Sequence, residues 1–174
     1  MLKPQDVLIG LKASTIPDRN WSFAEMAEMT GMSVGAVFAS TRRCRQAGLF
    51  TCLENGSVSV HGKKFFDFLV HGMPVVFFPE RGEVVKGMAT GRAAKRDIFP
   101  SVANEIPLVW ECDGGTVKGE SLKPLYPSVP EVAAKDGMLY ELLVLCDLIR
   151  VGSAKEAGWA SGAMLKYLTA RGLY

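Results

Sequence analysis

Residues 23–45, FAEMAEMTGMSVGAVFASTRRCR, limit most tightly what this chain can become. Ser22 can cap a helix, and Glu25 stands three residues later, the spacing at which two orphan amide donors are satisfied reciprocally. A short helix over 23–29 follows, with Phe23, Met26 and Ala27 on its inward face. Gly31 then lets the chain enter a left-handed turn without a Cβ clash. Ser33 caps a second helix from 34 to about 47. Ala27, Gly31 and Val37 have the small–turn–branched spacing that lets two helices cross closely. Arg42, Arg43 and Arg45 close the second helix, and the whole is a helix-turn-helix pattern.

The flanks extend the pattern. Residues 4–14 read as a helix with Pro4 in its first turn and Val7, Leu8 and Leu11 on one face. Pro17, Asp18 and Asn20 break it, and Trp21 follows as an apolar anchor against that helix. Beyond the second helix, Ala47-Gly48-Leu49 starts a strand. Residues 49–53 and 57–61 alternate in polarity around Glu54-Asn55-Gly56, and Asn-Gly is a strong hairpin signal because both turn positions need positive φ. Residues 63–72 then read as a helix that Gly72 ends, with Phe65, Phe66 and Leu69 on one face.

Helix, helix-turn-helix and hairpin in this order resemble the winged helix-turn-helix of bacterial transcriptional regulators, broadly the MarR-like group, over residues 4–72, under half of the chain. The resemblance implies double-stranded DNA as the partner, with the second helix in the major groove and the hairpin as a wing. Carried over, Ser33 would bond a phosphate, and Gly35, Ala36, Ala39 and Ser40 would approach base edges. Arg42, Arg43 and Arg45 would pair with phosphates or reach a guanine, and Lys63 and Lys64 would add phosphate contacts. A solvated helix end complementing the macrodipole is the plainer reading of the three arginines.

The chain also departs from the pattern. The front of the second helix carries Val34, Gly35, Ala36, Phe38 and Ala39, with no Arg, Asn or Gln in its first two turns, and the hairpin tip is not basic. That points to weak specificity through methyl groups and DNA shape, or to a winged helix turned to protein binding. Phe38 discriminates: buried it is core, exposed it is an interface anchor. A homodimer is expected, with Phe66 and Phe68 as candidate interface residues alongside simple packing on the first helix.

Seven of the nine prolines lie between residues 73 and 130, which excludes long regular helices there. Residues 73–78, MPVVFF, read as a buried strand. Residues 80–97 are glycine-punctuated and basic, either a mobile loop or a solvated arm following DNA or a partner. PLVWEC at 107–112 and residues 116–118 suggest a short hairpin with Trp110 inward, and LKPLYPSVP at 122–130 an extended segment ordered by packing. A helical piece follows from Ser128. Asp136 caps the clearest amphipathic helix, with Leu139, Leu142, Leu143, Cys146 and Ile149 in its stripe. Ser153 starts a last helix with Met164, Tyr167 and Leu168 on one face, interrupted around 158–162. Asp147, Arg150, Lys155 and Glu156 read as surface charges.

A net charge of +2 in 174 residues excludes a polycation, so any nucleic-acid affinity must be local. No stretch reaches the roughly 20 apolar residues of a membrane span, and no export signal is legible. The cytoplasm is the expected compartment, with Cys44, Cys52, Cys112 and Cys146 as reduced thiols, three of them in the core. His71 stands alone, and no catalytic set, metal spacing or cofactor fingerprint appears; no enzyme activity, metal or cofactor is expected. The fold expected is α+β, mainly α: a winged helix-turn-helix domain at 1–72, a Pro/Gly-rich extended connection at 73–127 and a C-terminal helical hairpin at 128–174. The function expected is a dimeric DNA-binding transcriptional regulator. The alternative is an antitoxin- or scaffold-like module that binds a partner protein.

Overall fold

Helix α1 (Pro4–Thr15) begins where proline costs nothing, because a first-turn residue has no intrahelical N–H bond to lose. The computed structural model describes residues 1–17, 20–52 and 58–174, in an α+β fold that is mainly helical. Val7, Leu8 and Leu11 are buried as their spacing predicts, and so is Ile9 beside them. The helix is covered on more than one side, since both α3 (Val34–Gln46) and α7 (Gly137–Val151) pack on it.

The capping signals act as expected. The Ser22 amide donates to Glu25 Oε2 at 2.8 Å, and the Glu25 amide returns a bond to Ser22 Oγ at 3.2 Å, opening α2 (Phe23–Thr30). Gly31 sits at φ +64°, and a Cβ there would also lie 2.8 Å from Cβ of Ser128, so the turn is pressed against the C-terminal half. Ser128 Oγ donates to the Thr30 carbonyl at 2.6 Å, satisfying an orphan group at the end of α2. Ser33 then caps α3. Met26, Ala27 and Val37 are buried, but Phe23 does not turn inward as expected; it lies at the surface.

Strands β1 (Phe50–Cys52) and β2 (Val58–Val60) pair antiparallel, Thr51 opposite Ser59. The Asn55-Gly56 turn and the hairpin tip lie outside the described residues. Helix α4 (Gly62–Asp67) continues through a π-helical turn at Phe68–Gly72 into α5 (Met73–Val76). Gly72 therefore does not end the helix, and MPVVFF is no buried strand: Met73 is buried while Val75, Val76 and Phe78 face solvent. Pro74 has no N–H for a regular i−4 bond and its ring crowds that carbonyl, and the wider π turn before it lets the chain stay helical.

Residues 80–97 are ordered rather than a loose arm. β3 (Arg81–Ala89) is followed by a 3-10 turn, and β3, β4 (Leu108–Glu111) and β5 (Val117–Leu122) close into a small barrel. Trp110 is buried as predicted, but β4 and β5 are not a hairpin. Each runs antiparallel to β3 and they are parallel to one another. Gly87 is paired with both Glu111 and Val117, and the connecting loop crosses β3 there. A Cβ on Gly115 would lie 2.4 Å from Cα of Gly87, so only glycines permit the crossing.

Leu125 docks in the core before α6 (Val129–Lys135), and α7 is capped by Asp136. Every residue from 142 to 149 is buried, which makes α7 the central element rather than a one-faced helix. α8 (Ala154–Ala170) packs along it without the expected break at Gly158–Gly162, because Ala160, Met164 and Leu168 bury one continuous stripe. The expected surface charges on these helices are largely internal. Asp147 accepts from Thr90 Oγ1 (2.7 Å), Trp110 Nε1 (2.8 Å) and Arg150 Nη1 (2.9 Å), while Arg150 Nε donates to the Phe77 carbonyl. Glu156 is buried under Arg92. One buried apolar cluster joins residues from all three stretches of the chain, Leu8 and Phe65 with Trp110, Leu143 and Met164.

Candidate nucleic-acid interface

Helix α3 divides its residues cleanly between two sides. Val37, Ser40, Thr41 and Cys44 face the core. Val34, Phe38, Arg42 and Arg45 succeed one another at spacings of four, four and three, so they form one stripe along the opposite face. All four are exposed, Val34 and Phe38 by 51% each. The stripe is apolar over the first two turns and cationic over the rest of the helix. Gly35 lies beside it, and a Cβ there would meet nothing within 4 Å. Ala36 and Ala39 are half-buried at its margins.

Two of the expected site residues are withdrawn from this face. Ser40 is fully buried and Arg43 points back across the helix. Arg43 Nε and Nη2 grip both oxygens of Asp6 at 2.6–3.2 Å, and Nη2 also donates to Ser40 Oγ at 2.8 Å. Asp6, 1% exposed, also accepts from the Lys3 amide, so its carboxylate is fully engaged. The Asp6 hydrogen bonds raise the Arg43 pKa above its ordinary value, against the pull of partial burial. Arg43 and Ser40 fasten α3 to α1; neither reaches toward a ligand. The physical reason is angular: position 43 lies on the α1 side of the helix, while 42 and 45 lie on the solvent side.

Arg42 and Arg45 have no carboxylate partner among the described residues. With Gln46, Phe50 and Cys52 they line a cleft of about 490 Å³ between α3 and β1. Lys63 and Lys64 are exposed at the start of α4. Lys64 reaches back over the end of α3: a Cβ on Gly48 would lie 3.1 Å from its Nζ. Arg42 and Arg45 thus share one cleft, and Lys64 stands over Gly48 just past the end of α3. Ser33 Oγ is exposed and accepts the Ala36 amide at 3.2 Å, which leaves its O–H as a donor.

The apolar half of the stripe is built as well. Phe38 meets Phe23 edge-on at 5.5 Å between ring centroids, and Phe23 in turn lies 6.3 Å from Trp21. By the criterion of exposure Phe38 is a surface residue and not core. Phe23 was hidden from sequence reasoning because its position in the first turn of α2 fits an inward face as well as an outward one. The cleft partners Gln46, Phe50 and Cys52 were missed because their proximity to Arg42 depends on where β1 folds back.

The remaining candidates resolve otherwise. Phe66 packs in a T-shaped contact with Tyr174 at 5.5 Å and Phe68 with Phe77 at 6.2 Å, and both stay half-buried. Cys44 and Cys146 are buried, Cys112 is half-buried and Cys52 exposed, so two thiols rather than three are internal. Burial pushes the Cys44 thiol up to about 12. Among the described residues no group of three or more His, Cys, Asp and Glu could hold a metal ion, and no helix is long and apolar enough to cross a membrane. No protein-family model, no curated protein and no solved structure matches this chain.

Proposed function

We propose that this chain is a winged helix-turn-helix protein that binds double-stranded DNA and acts as a transcriptional regulator in the cytoplasm. The observation that carries this reading is the stripe on α3 with its cationic end. Arg42 and Arg45 line a cleft beside β1, on the helix that the order of elements would send into the major groove, and Lys64 adds a cation over Gly48 just past that helix. The β1–β2 ribbon follows α3 where a wing belongs, and Ser33 and Lys63 supply further phosphate donors. The regulator would act as a homodimer on a two-fold operator. Phe66 and Phe68 are half-buried, and exposed Val75, Val76 and Phe78 offer the dimer more apolar surface.

The test is a salt series on duplex DNA carrying the protein's own promoter. Log Kobs should fall linearly with log salt concentration, and Arg42→Ala with Arg45→Ala should flatten the slope by about 2. Binding that ignores both salt and these substitutions would refute the reading. One observation favours a second reading: Phe23 and Phe38 form an exposed aromatic pair, as a protein-docking surface would. A folded protein that binds no duplex at low salt, yet pulls a defined partner through Phe38, would establish that alternative.

A further inference from the structure

We infer that the apolar half of the α3 stripe reads the C5-methyl groups of pyrimidines in the major groove, with Phe38 as the specificity-determining residue. The inference rests on the DNA-binding reading above and names what that face recognises.

Three observations carry it. The residues placed to meet base edges, Val34, Gly35 and Phe38, have no side-chain donor or acceptor, so they cannot read the hydrogen-bonding edges of guanine, adenine or cytosine. The major-groove feature left to an apolar side chain is a methyl group, carried by thymine and by 5-methylcytosine. Next, Phe38 has a ring neighbour that limits its freedom: Phe23 packs on it in a T-shaped contact at 5.5 Å, although half of its surface faces solvent. A ring with such a neighbour has less side-chain freedom to lose when a methyl group packs on it. Finally, the cations lie on the same stripe one and two turns farther along, at Arg42 and Arg45. They would anchor phosphates while the apolar turns stand in the groove. That charge complementarity, and the absence of any side chain at Gly35 to hold the helix off, favour a duplex over an apolar protein helix as occupant.

The experiment uses the full chain and four equal-length duplexes: alternating d(A–T), d(A–U), d(I–C) and d(I–5-methyl-C). Within each pair the duplexes differ by the methyl group alone. The methylated member should bind more tightly, by about fourfold for each methyl covered. Phe38→Ala should erase the preference in both pairs while leaving the salt slope intact. Phe38→Leu, which keeps an apolar side chain, should retain part of it. Arg42→Ala should weaken all four duplexes equally and preserve the preference. Equal affinity of wild type for the methylated and unmethylated members would overturn the inference and leave DNA binding standing. Failure to bind any duplex at low salt would overturn both, and would leave the Phe23–Phe38 face to a protein partner.

Discussion

Arg42 and Arg43 are neighbours in sequence with opposite fates, and the difference is one hundred degrees of helix. Arg43→Ala strands Asp6, a carboxylate 1% exposed, without its counter-ion. It should cost about 3 kcal/mol, against less than about 0.5 kcal/mol for Arg42→Ala. Urea unfolding of the two variants checks this, and similar midpoints would contradict the assigned roles. The thiols offer a second comparison at this scale. Cys52 is exposed while Cys44 and Cys146 are buried and have raised pKa values. A thiol reagent should label Cys52 in the native protein and the buried pair only after unfolding. Early loss of free Cys44 by mass spectrometry would show α3 to be loosely held. The clustering of three arginines was legible in the sequence, but Asp6, thirty-seven residues away, decides which of them are available.

At the scale of elements, capping signals were read correctly and tertiary burial only in part. Ser22, Ser33, Asp136 and Ser153 each cap the helix they were expected to start, because a cap involves residues three apart. The expected break in α8 failed because the packed stripe of Ala160, Met164 and Leu168 outweighs two glycines. Gly158 and Gly162 have open space where a Cβ would stand. Gly158→Ala and Gly162→Ala should therefore each stabilise the protein, by up to about 1 kcal/mol, read as a rise in Tm. The opposite sign would mean that the two sites are covered by something. The barrel is tied to α7 by Asp147, whose removal would orphan Thr90, Trp110 and Arg150 together. Asp147→Ala should cost about 3–5 kcal/mol, and near-wild-type stability in denaturant would show that Arg150 finds another partner.

For the whole molecule, the shared core makes α1, α2 and α3 dependent on the C-terminal half. Gly31 is pressed by Ser128, Lys12 pairs with Asp136 at 2.7 Å, and α1 is covered by α7. A fragment of residues 1–72 should expose that face of α1 and lack cooperative thermal unfolding, which circular dichroism would read; a sharp transition would show that it is autonomous. Acid sensitivity has a defined sign. Burial alone would raise the Glu156 carboxyl, but the Ser153 amide and hydroxyl and Arg92 pull it below its ordinary 4.5. A depressed carboxylate contributes stability that is present above the unfolded value and lost as pH falls through the folded one. The stability gap between wild type and Glu156→Gln should thus be widest near neutrality and narrow below about pH 4. Asp147 works in the opposite sense, since burial pushes it up against Arg150, Thr90 and Trp110. The comparison with Glu156→Gln isolates one group from the other.

The sequence by itself determined what depends on neighbours within a turn: the capped starts of α2, α3, α7 and α8, the left-handed residue at Gly31 and the β1–β2 pairing. Periodicity and capping are local physics, and four residues suffice to state them. Only the tertiary structure decided which charges are buried, that residues 81–89 are a strand and that Pro74 continues a helix. It also decided that Arg43 belongs to the scaffold while Arg42 belongs to the surface. These outcomes depend on which distant groups arrive to satisfy a charge, pair a strand edge or cover a face. A carboxylate such as Asp147 carries the same one-letter code whether water or a buried tryptophan N–H meets it.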